Sequence, residues 1–265
     1  IRDRSATASV LFRKLKLDAA IRYYEPDGTN INAHCGSTHL EALQKMVKDG
    51  GYDVGVAFDG DADRCLIVDD KGEVLDGDRI MAVCAVELKR QNKLRGNAFV
   101  ATILSNMGLH AYAKQHGISI ECSNVGDRYV LEKMLEKGYI LGGEQSGHVI
   151  FLEYATTGDG ELTAIQFLKM LKDSGKRASE IAAEVVPWPQ IMINVQVPTA
   201  MKYAISDRQE VQDAIEKEKQ GLGEGRILVR PSGTEPLIRV MVEGKDKDSV
   251  YKAAEAVAGV IESIL

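Results

Sequence analysis

The chain has 265 residues, 45% apolar and 27% charged, with 33 basic against 39 acidic side chains and a net charge of −6. That length supports two or three domains with a sizeable core, and the composition is that of an ordinary soluble fold. The acidic balance excludes broad nucleic-acid binding while leaving room for a local phosphate pocket, and no apolar run reaches the roughly 20 residues of a membrane span.

The opening, Ile1-Arg2-Asp3-Arg4-Ser5, runs straight into a helical pattern from Ala6 to Leu17 with no strand before it and no secretory signal, as expected of a truncated cytoplasmic chain. A short strand is expected at Ala20–Tyr23, a turn at Glu25-Pro26-Asp27-Gly28, and a polar loop from Thr29 to Gly36. Thr38 and Glu41 have the spacing of a capping box for a helix through Lys48, which Asp49-Gly50-Gly51 ends. Two apolar runs, Tyr52–Phe58 and Cys65–Val68, read as buried strands, and Asp69-Asp70-Lys71-Gly72 as a hairpin turn.

A second unit begins near Val74. Its expected elements are a helix capped by Asp78 and running to about Arg90, a buried strand at Asn97–Leu104, a helix at Leu109–His116, a strand at Ile118–Cys122 and a helix at Tyr129–Lys137. Two strands, Tyr139–Leu141 and Val149–Leu152, then flank a polar loop, and helices follow at Glu161–Lys172 and Ala178–Val185. Pro187-Trp188-Pro189 reads as a linker. Beyond it, Ile191, Ile193, Val195 and Val197 alternate as in a half-exposed strand. A charged helix capped by Ser206 and Gln209, strands at Ile227–Val229 and Leu237–Val242, and an amphipathic helix from Val250 to Leu265 complete the chain. Alternation of strands and helices throughout points to an α/β class. The four cysteines form no C-x-x-C pair and read as reduced structural thiols.

The densest chemistry lies between the two apolar strands, in Asp59-Gly60-Asp61-Ala62-Asp63-Arg64. Three carboxylates at alternate positions repel one another and call for a cation; a hard divalent ion such as Mg²⁺ takes carboxylate oxygens and keeps positions for water or phosphate. Three carboxylates and one divalent ion leave minus one, and Arg64 brings the sum to zero. A calcium EF-hand loop also begins D-x-D-x-D but needs Gly at its sixth position and Glu at its twelfth, where Arg64 and Asp70 stand. A polar turn bonding its own backbone is the other alternative.

Two further loops offer ligand chemistry. In Gly142-Gly143-Glu144-Gln145-Ser146-Gly147-His148, Glu144 and Ser146 point the same way if the segment is extended, a grip for sugar hydroxyls; a solvated hairpin turn fits equally. His148 is a candidate proton shuttle or a structural histidine. Arg230-Pro231-Ser232-Gly233-Thr234-Glu235-Pro236 gathers a guanidinium, hydroxyls and amides as a phosphate site does, and Arg239 adds charge. In Asn124-Val125-Gly126-Asp127-Arg128, Asp127 reads as a helix cap.

Together the segments Asp59–Arg64, Gly143–His148, Thr156–Gly160 and Arg230–Pro236 resemble, in order and spacing, the α-D-phosphohexomutase family, and the loops at Gly143–His148 and Arg230–Pro236 are similar to those of its bacterial glucosamine-phosphate branch. The resemblance implies consecutive α/β domains with a mixed sheet between helices and a smaller C-terminal α+β domain. The expected divisions are 1–73, with the metal loop, 74–186, with the sugar loop, and 187–265, with the phosphate loop. It implies Mg²⁺ on Asp59, Asp61 and Asp63. Arg64 and His148 would lie near the reacting hydroxyl, and Glu144, Ser146, Asp127 and Arg128 would contact substrate. Arg230, Ser232, Gly233, Thr234 and Arg239 would clamp the phosphate that does not react. The implied reaction interconverts glucosamine 6-phosphate and glucosamine 1-phosphate through a phosphoserine and a sugar bisphosphate, with these sugars and a second copy of the chain as expected partners and neither nucleic acid nor membrane. The family's phosphoserine loop has no counterpart here: Thr7-Ala8-Ser9 runs into Val10-Leu11 within a helical pattern, so the chain alone is expected to be inactive. A branch acting on mannose and glucose phosphates, a sugar-phosphate-binding module, and a Mg²⁺-dependent phosphatase using water in place of the serine are the other readings.

Overall fold

The computed structural model describes residues 5–25, 27–233 and 235–265; Pro26 of the first turn and Thr234 of the Arg230–Pro236 loop lie outside the described residues. Contacts cluster into two units, one of residues up to Ser105 with Leu109–Val186, the other of Asn106–Gly108 with Pro187–Leu265.

In the first unit, α1 (Ser5–Lys14) and α2 (Glu41–Gly50) precede a meander of β1 (Val54–Phe58), β2 (Cys65–Asp69) and β3 (Val74–Leu75). β1 and β2 pair antiparallel from Val54↔Asp69 to Phe58↔Cys65, so residues 59–64 form the loop of a hairpin. Every residue of β2 is buried, as its unbroken apolar run requires. Then come α3 (Gly77–Arg90), β4 (Ala98–Thr102), α4 (Met107–Gln115), β5 (Ser119–Ser123), α5 (Asp127–Lys137), β6 (Leu141–Gly143), β7 (Val149–Phe151), α6 (Gly160–Ser174) and α7 (Ala178–Glu184). Their sheet is mixed, in the order β5-β4-β6-β7, with β4 parallel to both β5 and β6, and β7 antiparallel to β6. Phe99, Leu141, Ile67, Ile80, Met81 and Phe167 share one core, which joins the meander, the mixed sheet and helices α3 and α6. Burying each such side chain contributes about 1.5–3 kcal/mol.

The second unit holds β8 (Gln190–Gln196), α8 (Lys202–Ser206), α9 (Gln209–Leu222), β9 (Gly225–Pro231), β10 (Leu237–Gly244) and α10 (Lys247–Ser263). Its antiparallel sheet runs β8-β10-β9, and Ile238, Val240 and Val242 of the central strand pack in one core with Val250, Ala254, Val257 and Ile261 of α10. The observed class is α/β, and among the described residues no helix is long and apolar enough to cross a membrane.

Several local expectations are corrected. Ala20–Tyr23 makes no strand: Tyr23 takes a φ of 55°, a left-handed value that ends any extended run. The Thr38–Glu41 capping box does not form; Gly36–His39 closes a turn, and α2 starts only after Leu40, whose side chain makes no cap bond. Asp76, not Asp78, caps α3, accepting the Arg79 N–H at 3.1 Å; Asp78 is buried in the first turn. At α5 the cap position falls on Gly126, and Asp127 is the first helical residue. Ser206 ends the unforeseen α8, and α9 follows Arg208 with no side-chain cap bond. All four cysteines are free; Cys65 and Cys84 are fully buried, and burial pushes both thiols well above their ordinary range.

Candidate functional site

The acidic hairpin loop is held from three sides, all within the first unit. Its own backbone turns through Ala62, buried at a φ of 55°, with the Ala62 N–H donating to the Asp59 carbonyl at 3.2 Å. The turn at the start of α6 clamps it next: the Gly160 N–H donates to the Ala62 carbonyl at 2.9 Å. The β6–β7 loop pairs with its exit, where the Cys65 N–H donates to the Gly147 carbonyl at 3.0 Å and Arg64 bridges to His148.

This frame brings one oxygen from each of Asp59, Asp61 and Asp63 within 4.8 Å of the others. Burial, then a hydrogen bond with Asp63 and repulsion from Asp63 and Asp61, push the Asp59 carboxyl up to about 6. Arg64 donates its amide N–H to Asp59 Oδ1 at 3.2 Å. Its guanidinium Nε stands 3.6 Å from Asp59 and 3.8 Å from Asp63, with the side chain 43% exposed. The Oδ1 atom of Asp63 is buried and accepts no hydrogen bond. A buried carboxylate oxygen that accepts no hydrogen bond, with the Arg64 Nε at 3.8 Å as its ion-pair partner, can still take a closer cation, so the all-oxygen donor set fits a hard divalent ion.

His148 does not face open space. It is 2% exposed, and both ring nitrogens have protein partners: Nδ1 lies 3.0 Å from Asp63 Oδ2, and Nε2 accepts the Gly158 N–H at 2.9 Å. Residues 144–147 form a tight turn rather than an extended segment, with the Gly147 N–H donating to the Glu144 carbonyl at 3.0 Å. The alternation expected to aim Glu144 and Ser146 together therefore does not apply. Glu144 reaches instead to the start of α5, where its Oε1 accepts the Gly126 N–H at 2.9 Å. Ser146 is exposed. Asp127 and Arg128 are exposed on the first turn of α5, with Arg128 bonded to Glu132 at 2.8 Å.

The second unit carries the other loop. Arg230 and Arg239 are directly cross-strand neighbours on β9 and β10. Two guanidiniums so placed destabilise a sheet unless an anion joins them. Arg239 pairs with Glu235 at 2.6 Å; Arg230 has no ion-pair partner among the described residues, and burial and then Arg239 hold its pKa below the usual value. Ser232 is buried and its hydroxyl accepts the Glu235 N–H at 3.2 Å, which shapes the loop. Gly233 is exposed. One contributor escaped the sequence reading. Lys202, 4% exposed at the start of α8, donates to the Ser232 and Glu235 carbonyls from beneath the loop. A lysine in a solvated stretch carries no sequence signal of such burial.

Sequence-family models for the phosphoglucomutase/phosphomannomutase α/β/α domain II, α/β/α domain III and C-terminal domain match residues 7–72, 76–187 and 192–260. The phosphoglucosamine mutase of Ruminiclostridium cellulolyticum is 55% identical over 95% of this chain, and that of Acetivibrio thermocellus is 53% identical over 97%. The chain spans 56% and 58% of the length of these curated relatives. Among solved structures, a phosphoglucomutase/phosphomannomutase family protein from Burkholderia thailandensis matches 98% of this chain and 58% of its own, with a TM-score of 0.80 at 20% identity. Aspergillus fumigatus N-acetylphosphoglucosamine mutase in complex with GlcNAc-6P and magnesium matches 87% of this chain and 53% of its own, with a TM-score of 0.70 at 22% identity. At such identities the structural likeness shows the fold. The acidic loop, the β6–β7 turn and the β9–β10 loop all lie within the matched segments, and the chain belongs to the phosphoglucomutase/phosphomannomutase family, the α-D-phosphohexomutases.

Proposed function

We propose that this chain supplies the metal-binding and sugar-phosphate-binding parts of a phosphoglucosamine mutase, which interconverts glucosamine 6-phosphate and glucosamine 1-phosphate through a phosphoserine and a bisphosphate. The observation that carries the reading is the acidic loop: three converging carboxylates, one with a buried oxygen that accepts no hydrogen bond and has the Arg64 guanidinium 3.8 Å away. Relatives of that name at 50–55% identity support the choice of substrate. The proposed divisions are 1–73, 74–186 and 187–265, and the proposed setting is the cytoplasm.

Asp59, Asp61 and Asp63 would hold Mg²⁺, which when bound supplies charge neutralisation for phosphoryl oxygens. The protein's own groups do the rest. Arg64 acts by the field of its guanidinium rather than by proton transfer. Glu144, with one oxygen fixed by the Gly126 N–H, offers the other to a sugar hydroxyl, and Ser146 offers an exposed hydroxyl beside it. Arg230 and Arg239 bind the phosphate that does not react, which relieves their mutual repulsion. Ser9 lies inside α1 and is not the phosphoryl carrier, so residues 1–265 by themselves bind substrate without turning it over.

Two measurements test this. By calorimetry with glucosamine 6-phosphate, Arg230→Ala weakens binding at least about tenfold, the loss of a charged hydrogen bond, whereas Lys219→Ala does not; equal losses remove the phosphate assignment. The expressed reading frame that contains this sequence converts glucosamine 6-phosphate to glucosamine 1-phosphate with Mg²⁺, and no conversion removes the mutase assignment.

A further inference from the structure

We infer that Lys202 is a positioning residue for the phosphate loop: from beneath, it draws the Ser232 carbonyl inward and so aims the Gly233 N–H outward, at the phosphate that does not react. The inference deepens the phosphate assignment of the Arg230–Pro236 loop and rests on it. Lys202 opens α8 and is 4% exposed. Its Nζ donates to two carbonyl oxygens of the loop, that of Ser232 and, at 3.4 Å, that of Glu235. A lysine is almost never so deeply buried without an anion beside it. Among the described residues Lys202 has no carboxylate partner; besides the two carbonyls, its Nζ meets the Tyr203 ring at 5.5 Å from the centroid. Arg230, at the start of the same loop, also lacks an ion-pair partner among the described residues. Two such cations at one loop leave their charge for a ligand to answer.

The direction follows from the peptide bond. In a trans peptide the carbonyl and the next N–H point opposite ways, and none of the described peptides is cis. With the Ser232 oxygen drawn to Lys202, the Gly233 N–H points away from the lysine. That N–H makes no hydrogen bond among the described residues, Gly233 is exposed, and a Cβ there would meet nothing within 4 Å. An oxyanion can therefore reach it. The rest of the loop has other supports: the Ser232 N–H donates to the Leu237 carbonyl at 2.9 Å, its hydroxyl accepts the Glu235 N–H at 3.2 Å, and the Glu235 carbonyl also accepts the Leu237 N–H at 2.9 Å. The peptide between Ser232 and Gly233 has one. Of its two polar groups only the oxygen has a partner among the described residues, and that partner is Lys202. Without the lysine this plane is free to flip, and a flip turns a carbonyl oxygen toward the phosphate in place of a donor.

Titration with glucosamine 6-phosphate, followed by amide NMR of chain labelled with ¹⁵N-glycine, tests the inference; Gly233→Ala identifies the peak. In the unaltered chain the Gly233 amide proton moves downfield at saturation, as an N–H does when it takes an oxyanion. Lys202→Met keeps a long apolar side chain in the buried space. In that variant the movement is lost, and calorimetry gives about tenfold weaker binding, the loss of a hydrogen bond to a charged group. A Gly233 peak that stays in place at saturation in the unaltered chain overturns the inference, and this result needs no variant to fold. A Lys202→Met chain that binds as the wild type does also overturns it. So does one that binds weakly while its Gly233 peak still moves, the signature of a lysine acting by charge alone. The phosphate assignment fails separately, if the wild type binds no glucosamine 6-phosphate or if Arg230→Ala binds it as tightly as the wild type.

Discussion

Gly160→Ala sets two known effects against each other. Gly160 is the first residue of α6, where alanine is the better helix former by up to about 1 kcal/mol. Its φ is not in the left-handed region, so the backbone itself accepts a side chain. The surroundings do not. An added Cβ would stand 2.5 Å from the Arg64 carbonyl oxygen, 2.8 Å from Phe58 Cδ1 and 2.9 Å from the Ala62 carbonyl oxygen. Two of these three are backbone atoms that cannot rotate aside, and overpacking of that kind costs about 1–3 kcal/mol. After the full helix gain, the net loss is about 0–2 kcal/mol. The atoms that must move belong to the loop carrying Asp59, Asp61 and Asp63, so metal binding weakens along with the fold. Urea unfolding reads the first effect as a lower midpoint at unchanged slope, and Mn²⁺ titration reads the second. A midpoint at or above that of the wild type would show that helix propensity wins and that the α6 turn does not clamp the loop as described.

Two further outcomes follow from single groups. The Asp59 carboxyl is raised from 3.8 to about 6, so in the metal-free protein its ionisation opposes folding, and the stability from this group falls as pH rises between those values. Metal competes with that proton: Mn²⁺ affinity, titrated on either side of pH 6, rises with pH below it and levels off above it, and a flat profile contradicts the coupling. Asp70 accepts both the N–H and the hydroxyl of Ser179, at 2.8 and 3.0 Å, and so caps α7 from the β2–β3 turn. Burial raises the Asp70 pKa, but the Ser179 bonds outweigh it and hold it below the ordinary value, so this support is present above that value and lost as pH falls through the lowered one. Asp70→Ala is expected to cost about 1 kcal/mol by thermal unfolding at neutral pH; an unchanged melting temperature removes the cap.

What could be read from the chain was what depends on neighbours in sequence. Alternate carboxylates between two apolar runs gave both the hairpin and its acidic cluster, because strand, turn and charge all lie within residues 54–69. Cap positions were harder, since several polar residues compete near each helix start and the choice falls to geometry: Asp76 over Asp78, Leu40 over Thr38. An apolar stretch such as Ala20–Tyr23 has strand composition, but composition does not supply a pairing partner, and the left-handed Tyr23 removes the extension. The contacts that define the site were illegible for the same reason. His148 and Asp63 are 85 positions apart, Glu144 and Gly126 are 18 apart, and Lys202 and Ser232 are 30 apart. Nothing local to any of these residues names its partner.

That 85-residue interval is also an interval of time. At about 5–20 residues per second, a ribosome releases Asp63 roughly 4–17 s before His148. The hairpin can close on its own strands in that period, while the Asp63 carboxylate still lacks its His148 partner. The acidic loop has its full frame only once β7 and the turn before α6 have been made.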